Sequence, residues 1–474
     1  MISSCDAVVV GSGPNGLAAA ITLAEGGLSV HVIEAEHEIG GGCRTSELTL
    51  PGYHHDVCAA VLPFGTASPF FQRLSRPAGL EFVFPEAPLA HPLDDGDAVI
   101  LERSVGATAA NLGVDGQRYR QILAPLTRNA PRLLEQFLGP LRLPRHPVVV
   151  GAFGLPALLP AVRFAQLAYR GPRARALFAG MAGHSMMPLN SPASASIGLM
   201  LNLLGHSAGW PVARGGTATL AAALAARLRD LGGTIETGRR VTSLEELPAA
   251  RIRLLDLVPR DIERICGDAL PQRYRRRLRR YRYGPGVFKL DWALDGPVPW
   301  SDPRCARAAT VHVGGGFEEI VAAEATVAAG RHAARPLVIL AQPSLFDATR
   351  SPAGRHTLWG YCHVPNGSDR DMTAVIEAQI ERFAPGFRDR ITGRHAMNTQ
   401  ALEAHDANLV GGDINGGRFS LGQLFSRPAP RISPYTTPNP GIFICSASTP
   451  PGGGVHGMCG WWAARAALRS LSKS

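Results

Sequence analysis

The sequence predicts an α/β fold that opens on a parallel strand, helix and strand, and three observations near its start carry that prediction. Val8-Val-Val10 is a short apolar run of the kind buried inside a parallel sheet. Gly11-Ser-Gly13-Pro14-Asn15-Gly16 follows with the spacing G-x-G-x-x-G and leads into an alanine-rich helix. A second apolar run, Val30-His-Val-Ile33, ends on the acid Glu34. Together these describe a Rossmann-like dinucleotide unit. Gly11 permits the tight turn, Gly13 lets backbone approach a pyrophosphate, and Gly16 allows the helix to pack closely on the strand. Pro14 and Asn15 form the start of the helix, whose N-terminus offers partial positive charge to an anion. Glu34 stands where a carboxylate accepts hydrogen bonds from ribose hydroxyls, which disfavours a 2′-phosphate.

Ile39-Gly40-Gly41-Gly42-Cys43-Arg44-Thr45 comes next. It brings flexible backbone near the same phosphates and an arginine able to pair with them, which favours FAD. This pattern resembles the second glycine-rich fingerprint of the flavin amine oxidase and phytoene desaturase superfamily. The expected cofactor ligands here are Gly41, Gly42 and Arg44.

From Arg175 to Arg214 there is no intervening charged residue, and the stretch contains Met181, Met186, Met187 and Met200. Pro188, Pro192, Asn190 and Asn202 interrupt it, so it lacks the uniform character of a membrane span. Residues 176–213 are expected to line an apolar cavity, where methionines adapt to irregular substrates, or to form a plain core helix. Arg214-Gly-Gly-Thr then opens an Ala/Leu-rich helix to Leu231, and Thr234-Ile-Glu leads on to Val241. Order and spacing resemble the second flavin-domain segment of the same superfamily. The resemblance implies that strand backbone around Val241 meets the adenine end.

Val311-His-Val-Gly314-Gly-Gly316 imitates a second dinucleotide turn. The third glycine position holds Glu319, with Glu318 beside it, and negative charge there opposes phosphate. No dedicated NAD(P) domain is expected. At the C-terminus, Gly441-Ile-Phe-Ile-Cys445 reads as a strand, and Pro451-Gly452-Gly-Gly454-Val455-His456-Gly457-Met458 leads into a helix. This segment resembles the Pro-Gly-Gly-Gly turn that lies against the flavin ring in the superfamily. It therefore implies Gly454, Val455, His456, Gly457 and Met458 as further cofactor ligands.

With that resemblance spanning nearly the whole chain, the sequence looks like the phytoene desaturase-related FAD oxidoreductases, including the pyridine nucleotide-disulfide oxidoreductase domain 2-like branch. The expected architecture is a Rossmann-like FAD-binding domain built from three discontinuous segments, 1–75, 205–290 and 435–474. An interleaved α+β substrate domain takes 76–204 and 291–434. The expected activity is a dehydrogenase or desaturase taking a hydride from an apolar small molecule, isoprenoid or polyene in class, with quinone or dioxygen as electron acceptor. Two rivals stand beside it. An amine oxidase wants an aromatic cage, for which Trp461 and Trp462 are the candidates. A prenyl-lipid carrier resembling GDP-dissociation inhibitors shares the fold without redox chemistry. The chain departs from carotene desaturases at His55-Asp-Val-Cys58, where those carry Asp-Ala-Gly.

Lys289 is the one catalytic candidate. Gly286-Val-Phe-Lys289-Leu-Asp-Trp-Ala-Leu294 alternates as a strand, with Lys289, Asp291 and Ala293 on one face and Phe288, Leu290 and Trp292 on the other. The segment resembles the amine oxidase strand whose lysine reaches flavin N5 through a water. Of the 48 basic residues only Lys289 and Lys473 are lysines. A guanidinium cannot deprotonate and an ammonium can, so a lysine kept among arginines points to a site needing that property. The alternative is a lysine at the strand's polar edge, paired with a carboxylate.

Composition narrows the rest. At 474 residues the chain has room for two domains. The eight cysteines include no C-x-x-C pair and no zinc spacing, which argues against disulfide reduction and leaves no metal site to propose. The first strand starts so near Met1 that no cleaved leader is expected, giving a cytoplasmic expectation. The net charge of +10 is concentrated in Arg273–Arg282, a basic helix that is a solvated face or a peripheral contact with anionic lipid. No nucleic-acid module accompanies it.

Overall fold

The computed structural model describes residues 4–74 and 79–472. Its first strand, Ser4–Val10, is buried from Ala7 onward and lies at the centre of a five-stranded parallel sheet. The order is Ile442–Ile444, Ala249–Leu255, Ser4–Val10, Val30–Ile33, Thr234–Glu236, so strands from three distant stretches of sequence share one sheet. Val10 stands opposite both Ile33 and Leu255. Gly11, Glu34 and Asp256 therefore emerge together from the carboxyl edge, where open α/β sheets leave a crevice because the strand order reverses. Helix Pro14–Glu25 packs against the C-terminal helix Met458–Leu471. A Cβ at Gly460 would stand 1.8 Å from the Asn15 carbonyl oxygen, so only glycine permits that approach.

A second, seven-stranded mixed sheet runs Ile391–Met397, Gly286–Leu294, His356–Val364, Val338–Ala341, Ala308–Val313, Ala87–Pro92, Ala98–Leu101. Alternation along its strands gives it two different faces. Phe288, Leu290 and Trp292 pack with Ile376, Ile380 and Phe383 of helix Thr373–Phe383. The opposite parity presents Val287, Lys289, Ile339, Trp359 and Tyr361 to a cavity. Helices Pro172–Gly183 and Ala195–Ser207, from the charge-poor stretch, pack against each other in the main core. Among the described residues no single helix is long and apolar enough to cross a membrane.

Three expectations need correction. The domain boundary drawn after residue 290 falls inside strand Gly286–Leu294, which pairs along its whole length with His356–Val364 and belongs to the second sheet. Val241 is not in a strand: Thr234–Glu236 ends early because Gly238 turns with φ 73° and the Arg239 N–H donates to the Glu34 carbonyl at 2.9 Å. The basic helix spans Gln272–Arg279 and stops short of Arg282, with Tyr274 and Leu278 on its buried side.

Candidate active site

The carboxyl edge of the parallel sheet and the inner face of the second sheet enclose one cavity of about 820 Å³. Gly11, Gly13, Pro14, Asn15, Glu34, Gly41, Gly42, Arg44, Val241, Lys289, Gly454, Val455 and His456 all line it. Gly16, Gly457 and Met458 do not. A Cβ at Gly16 would meet the Gly11 carbonyl oxygen at 2.1 Å, so this glycine seats helix on strand. Gly457 packs against Phe70 and Ala18, while Met458 is fully buried in the core.

The glycine turn has the chemistry of an anion cradle. Gly13 caps helix Pro14–Glu25 with no side-chain hydrogen bond, and the helix has no acid of its own in the first turn; there the Gly16 N–H donates to the Asp256 carboxyl at 2.8 Å. Gly41, at φ 53°, approaches Gly13 so closely that a Cβ would stand 3.2 Å from its Cα. Asn15 Oδ1 and Arg44 Nε are buried on the cavity wall without a hydrogen-bond partner. Unsatisfied buried polar atoms of this kind fit a polar ligand. Glu34 Oε2 accepts from the Ser12 N–H at 2.8 Å and the Ser12 hydroxyl at 2.6 Å, and Oε1 accepts from the Glu36 N–H at 3.0 Å. Arg44 lies 3.6 Å from Glu34 and donates to the Glu38 and His405 carbonyls at 2.8 and 3.1 Å.

The C-terminal turn reaches the same cavity. Gly452 and Gly454 have φ 113° and 122°, and Gly457 is left-handed at the start of helix Met458–Leu471. Burial pushes the His456 imidazole down to about 4, so it is neutral. Its Nδ1 accepts from the Met458 N–H at 3.0 Å and its Nε2 lies 3.1 Å from the Gly452 carbonyl, which assigns the proton to Nε2.

Lys289 is 2% exposed and forms an ion pair with Asp291 on the same face of its strand. The Lys289 Nζ also sits 5.9 Å from the centre of the Trp359 ring. Burial raises the Asp291 carboxyl, but the Lys289 charge, with His395 Nδ1 3.7 Å away and His55 beside it, outweighs it and holds the group below its usual range. His55 Nδ1 lies 3.5 Å from Asp291, and burial pushes this imidazole down to about 4. The lysine is therefore clamped by a carboxylate between two histidines.

Sequence reasoning missed Asp256, although it follows an apolar run just as Glu34 does. It also missed the aromatic wall. Trp359 and Tyr361 meet edge to face at 5.2 Å and line the cavity with Trp210 and His184. Trp461 and Trp462, the expected cage, are not on the cavity. They lie on helix Met458–Leu471 under the Arg465 guanidinium, and Trp462 Nε1 donates to the Leu138 carbonyl at 3.0 Å. Cys43 and Cys58 line the cavity, but burial raises both thiols, Cys58 to about 12, and leaves them protonated.

Comparison with known proteins agrees with this geometry. A family described as NAD(P)-binding Rossmann-like domain matches residues 9–75, the segment holding the glycine turn, Glu34 and Arg44. Pyridine nucleotide-disulfide oxidoreductase domain-containing protein 2 of Rattus norvegicus is 24% identical over 98% of this chain and 94% of its own. A limonene dehydrogenase polypeptide of Castellaniella defragrans is 32% identical over a shorter stretch, 26% of this chain and 23% of its own. Among solved structures, putrescine oxidase bound to putrescine superposes with a TM-score of 0.63 at 17% identity, covering 99% of both chains. The nucleotide-binding match thus covers residues 9–75, while along nearly its whole length the chain is similar to pyridine nucleotide-disulfide oxidoreductase domain-containing protein 2 and shares the fold of putrescine oxidase.

Proposed function

We propose that the chain binds FAD without a covalent link and acts as a dehydrogenase or desaturase on an apolar small molecule. The observation that carries this reading is the uneven distribution of charge along a single cavity. Every carboxylate on its wall, namely Glu34, Glu36, Asp256, Asp261 and Asp406, comes from the carboxyl edge of the parallel sheet, the helix Pro259–Cys266 that follows it or the loops beside them. The part walled by Phe153, Ala157, Ile197, Met200, Leu201 and Tyr361 has none. Its titratable histidine, His184, is pushed down to about 3 by burial and by His363, and is neutral. An ammonium substrate would lose its hydration there and gain no anion. That favours a hydrocarbon-like substrate over an amine, despite the amine oxidase fold. The name of the limonene dehydrogenase relative points the same way.

FAD is favoured over a nicotinamide dinucleotide because two further backbone turns, Gly41–Arg44 and Gly452–His456, close on the same cleft as the first. The imitation turn at Gly314–Gly316 does not line the cavity. Arg382 spans it, pairing with Glu319 and Asp94. The bound cofactor supplies acceptance of a hydride, and the electrons pass on to quinone or dioxygen. The chain's own residues do the positioning. The glycine turns fix the dinucleotide, the aromatic and aliphatic wall orients the substrate and excludes water, and Lys289, held by Asp291, keeps a charge and a transferable proton at the wall.

Anaerobic mixing of the FAD-loaded protein with isoprenoid, polyene and amine libraries tests this reading. Bleaching of the flavin by isoprenoids or polyenes is expected. Bleaching only by amines supports an amine oxidase, and binding without bleaching supports a lipid carrier; either result overturns the proposal.

A further inference from the structure

Six large aliphatic side chains stand in water within one short stretch. Leu141, Leu143, Val148, Leu155, Leu158 and Leu167 are 73%, 91%, 84%, 72%, 49% and 58% exposed. Helix Pro147–Ala157 in the middle of this stretch contains no polar side chain at all. A helix that is apolar all round is ordinarily buried. Here Val148, Ala152 and Leu155, at helical spacings of four and three, form an outer face that nothing covers. The inner side of the helix, through Val150, Phe153, Gly154 and Ala157, lines the cavity. Leu141 and Leu158 are at once exposed and part of the cavity wall, which places them on its rim. The apolar patch therefore continues into the apolar end of the cavity.

The charge around the patch has one sign. No Asp or Glu occurs from Gln136 to Arg229. Arg142 and Arg145 share the single carboxylate of Glu135, at 3.6 and 3.1 Å, which leaves a net positive charge. Exposed Arg163 adds to it. A symmetric contact between two copies of this face would bring these arginines together, whereas an anionic surface would neutralise them.

We propose that residues 141–167 dock the chain on an anionic lipid bilayer, with Val148, Leu155 and their neighbours in the headgroup layer and the cavity rim opening into lipid. This is the geometry of a peripheral amphipathic contact, in which buried apolar area and cationic attraction act together. Docking rests on the patch and its charge alone. Its use, delivery of an apolar substrate without passage through water, rests on the function proposed above. The contact differs from the one expected at Arg273–Arg282. There the outward side chains are arginines without exposed aliphatic neighbours, and Arg275 is engaged by Glu263 and Asp268 at 2.9 and 2.6 Å.

The test is co-flotation of purified protein with vesicles of phosphatidylcholine alone or mixed with phosphatidylglycerol. The wild type is expected to float with the mixed vesicles, and V148E/L155E to bind about tenfold less or weaker still. Both side chains are exposed and neither lines the cavity, so dinucleotide content and melting temperature are expected to stay unchanged. L143S/L167S provides a second variant with the same expected direction. Three results overturn the proposal: no flotation of the wild type, equal flotation of both apolar variants, or loss of flotation only in R276E/R277E. A dimer seen by light scattering without vesicles and abolished by V148E/L155E also overturns it, in favour of a second copy as occupant. Flavin reduction is measured separately in solution, so failure of docking and failure of the proposed chemistry remain distinguishable.

Discussion

The Asp256 carboxylate accepts a hydrogen bond of 2.8 Å from the backbone N–H of Gly16, across 240 residues of chain. It stands inside the glycine turn, 3.1 Å from where a Cβ on Gly13 would be. Burial first, then the charges of Asp406 and Glu34, push this carboxyl up to about 7 against the pull of the Gly16 N–H. The folded chain thus keeps a proton that the unfolded chain has released. Stability from this group is present below the usual carboxyl range and is lost as pH rises from there to about 7. A bound pyrophosphate favours the protonated form further. Dinucleotide affinity is therefore expected to fall as pH rises through about 7, with proton uptake on binding, and Asp256→Asn is expected to flatten the dependence. Calorimetric titration in buffers of different ionisation enthalpy checks both.

Glu34 holds the loop as well as any ribose. Removing it in Glu34→Ala frees the Ser12 N–H and hydroxyl, and is expected to weaken dinucleotide binding by about 1–3 kcal/mol. Equilibrium titration of the stripped protein measures this. An unchanged affinity would place the ribose elsewhere.

Lys289→Met removes the cation from a fully buried carboxylate. It is expected to cost about 3–5 kcal/mol of stability, with part of the loss restored in Lys289→Met/Asp291→Asn. Denaturant unfolding reads that effect. If the lysine also acts on the reaction, the double variant recovers stability yet still reduces or reoxidises its flavin at least about tenfold more slowly, or about 1.4 kcal/mol of barrier. Equal rates in both half-reactions would leave Lys289 a structural residue only.

Asp56 ties three parts of the chain together. It pairs with the fully buried Arg350, and its Oδ1 accepts from the Thr45 hydroxyl at 2.8 Å and the Thr217 N–H at 2.8 Å. Asp56→Ala strands the Arg350 guanidinium and is expected to destabilise by about 3–5 kcal/mol, measured by chemical denaturation.

Local pattern made the N-terminal unit legible, because strand, glycine turn, helix and Glu34 lie consecutively and each has a backbone reason. The lysine strand was legible by alternation for the same reason. Asp256 was hidden because its role depends on a register between strands that are 240 residues apart in sequence at their key contact. The aromatic wall was hidden too, since Trp359 and Tyr361 face the cavity only through the parity of a strand in a mixed sheet. The wrong choice of Trp461 and Trp462 came from their closeness in sequence to the glycine turn. On the helix both rings lie beside Arg465 and Trp462 packs against Gly139, off the cavity wall. Val241 was placed on strand backbone by resemblance in segment order and spacing, but the Gly238 turn ends pairing before it.

The central claim, that this cleft holds FAD, is tested most directly by the flavin content of the protein after incubation with FAD and gel filtration. The expected result is a stoichiometric flavin band that is released by denaturation, as a non-covalent cofactor must be. A protein that emerges colourless, or that retains a nicotinamide dinucleotide in preference to FAD, would contradict it.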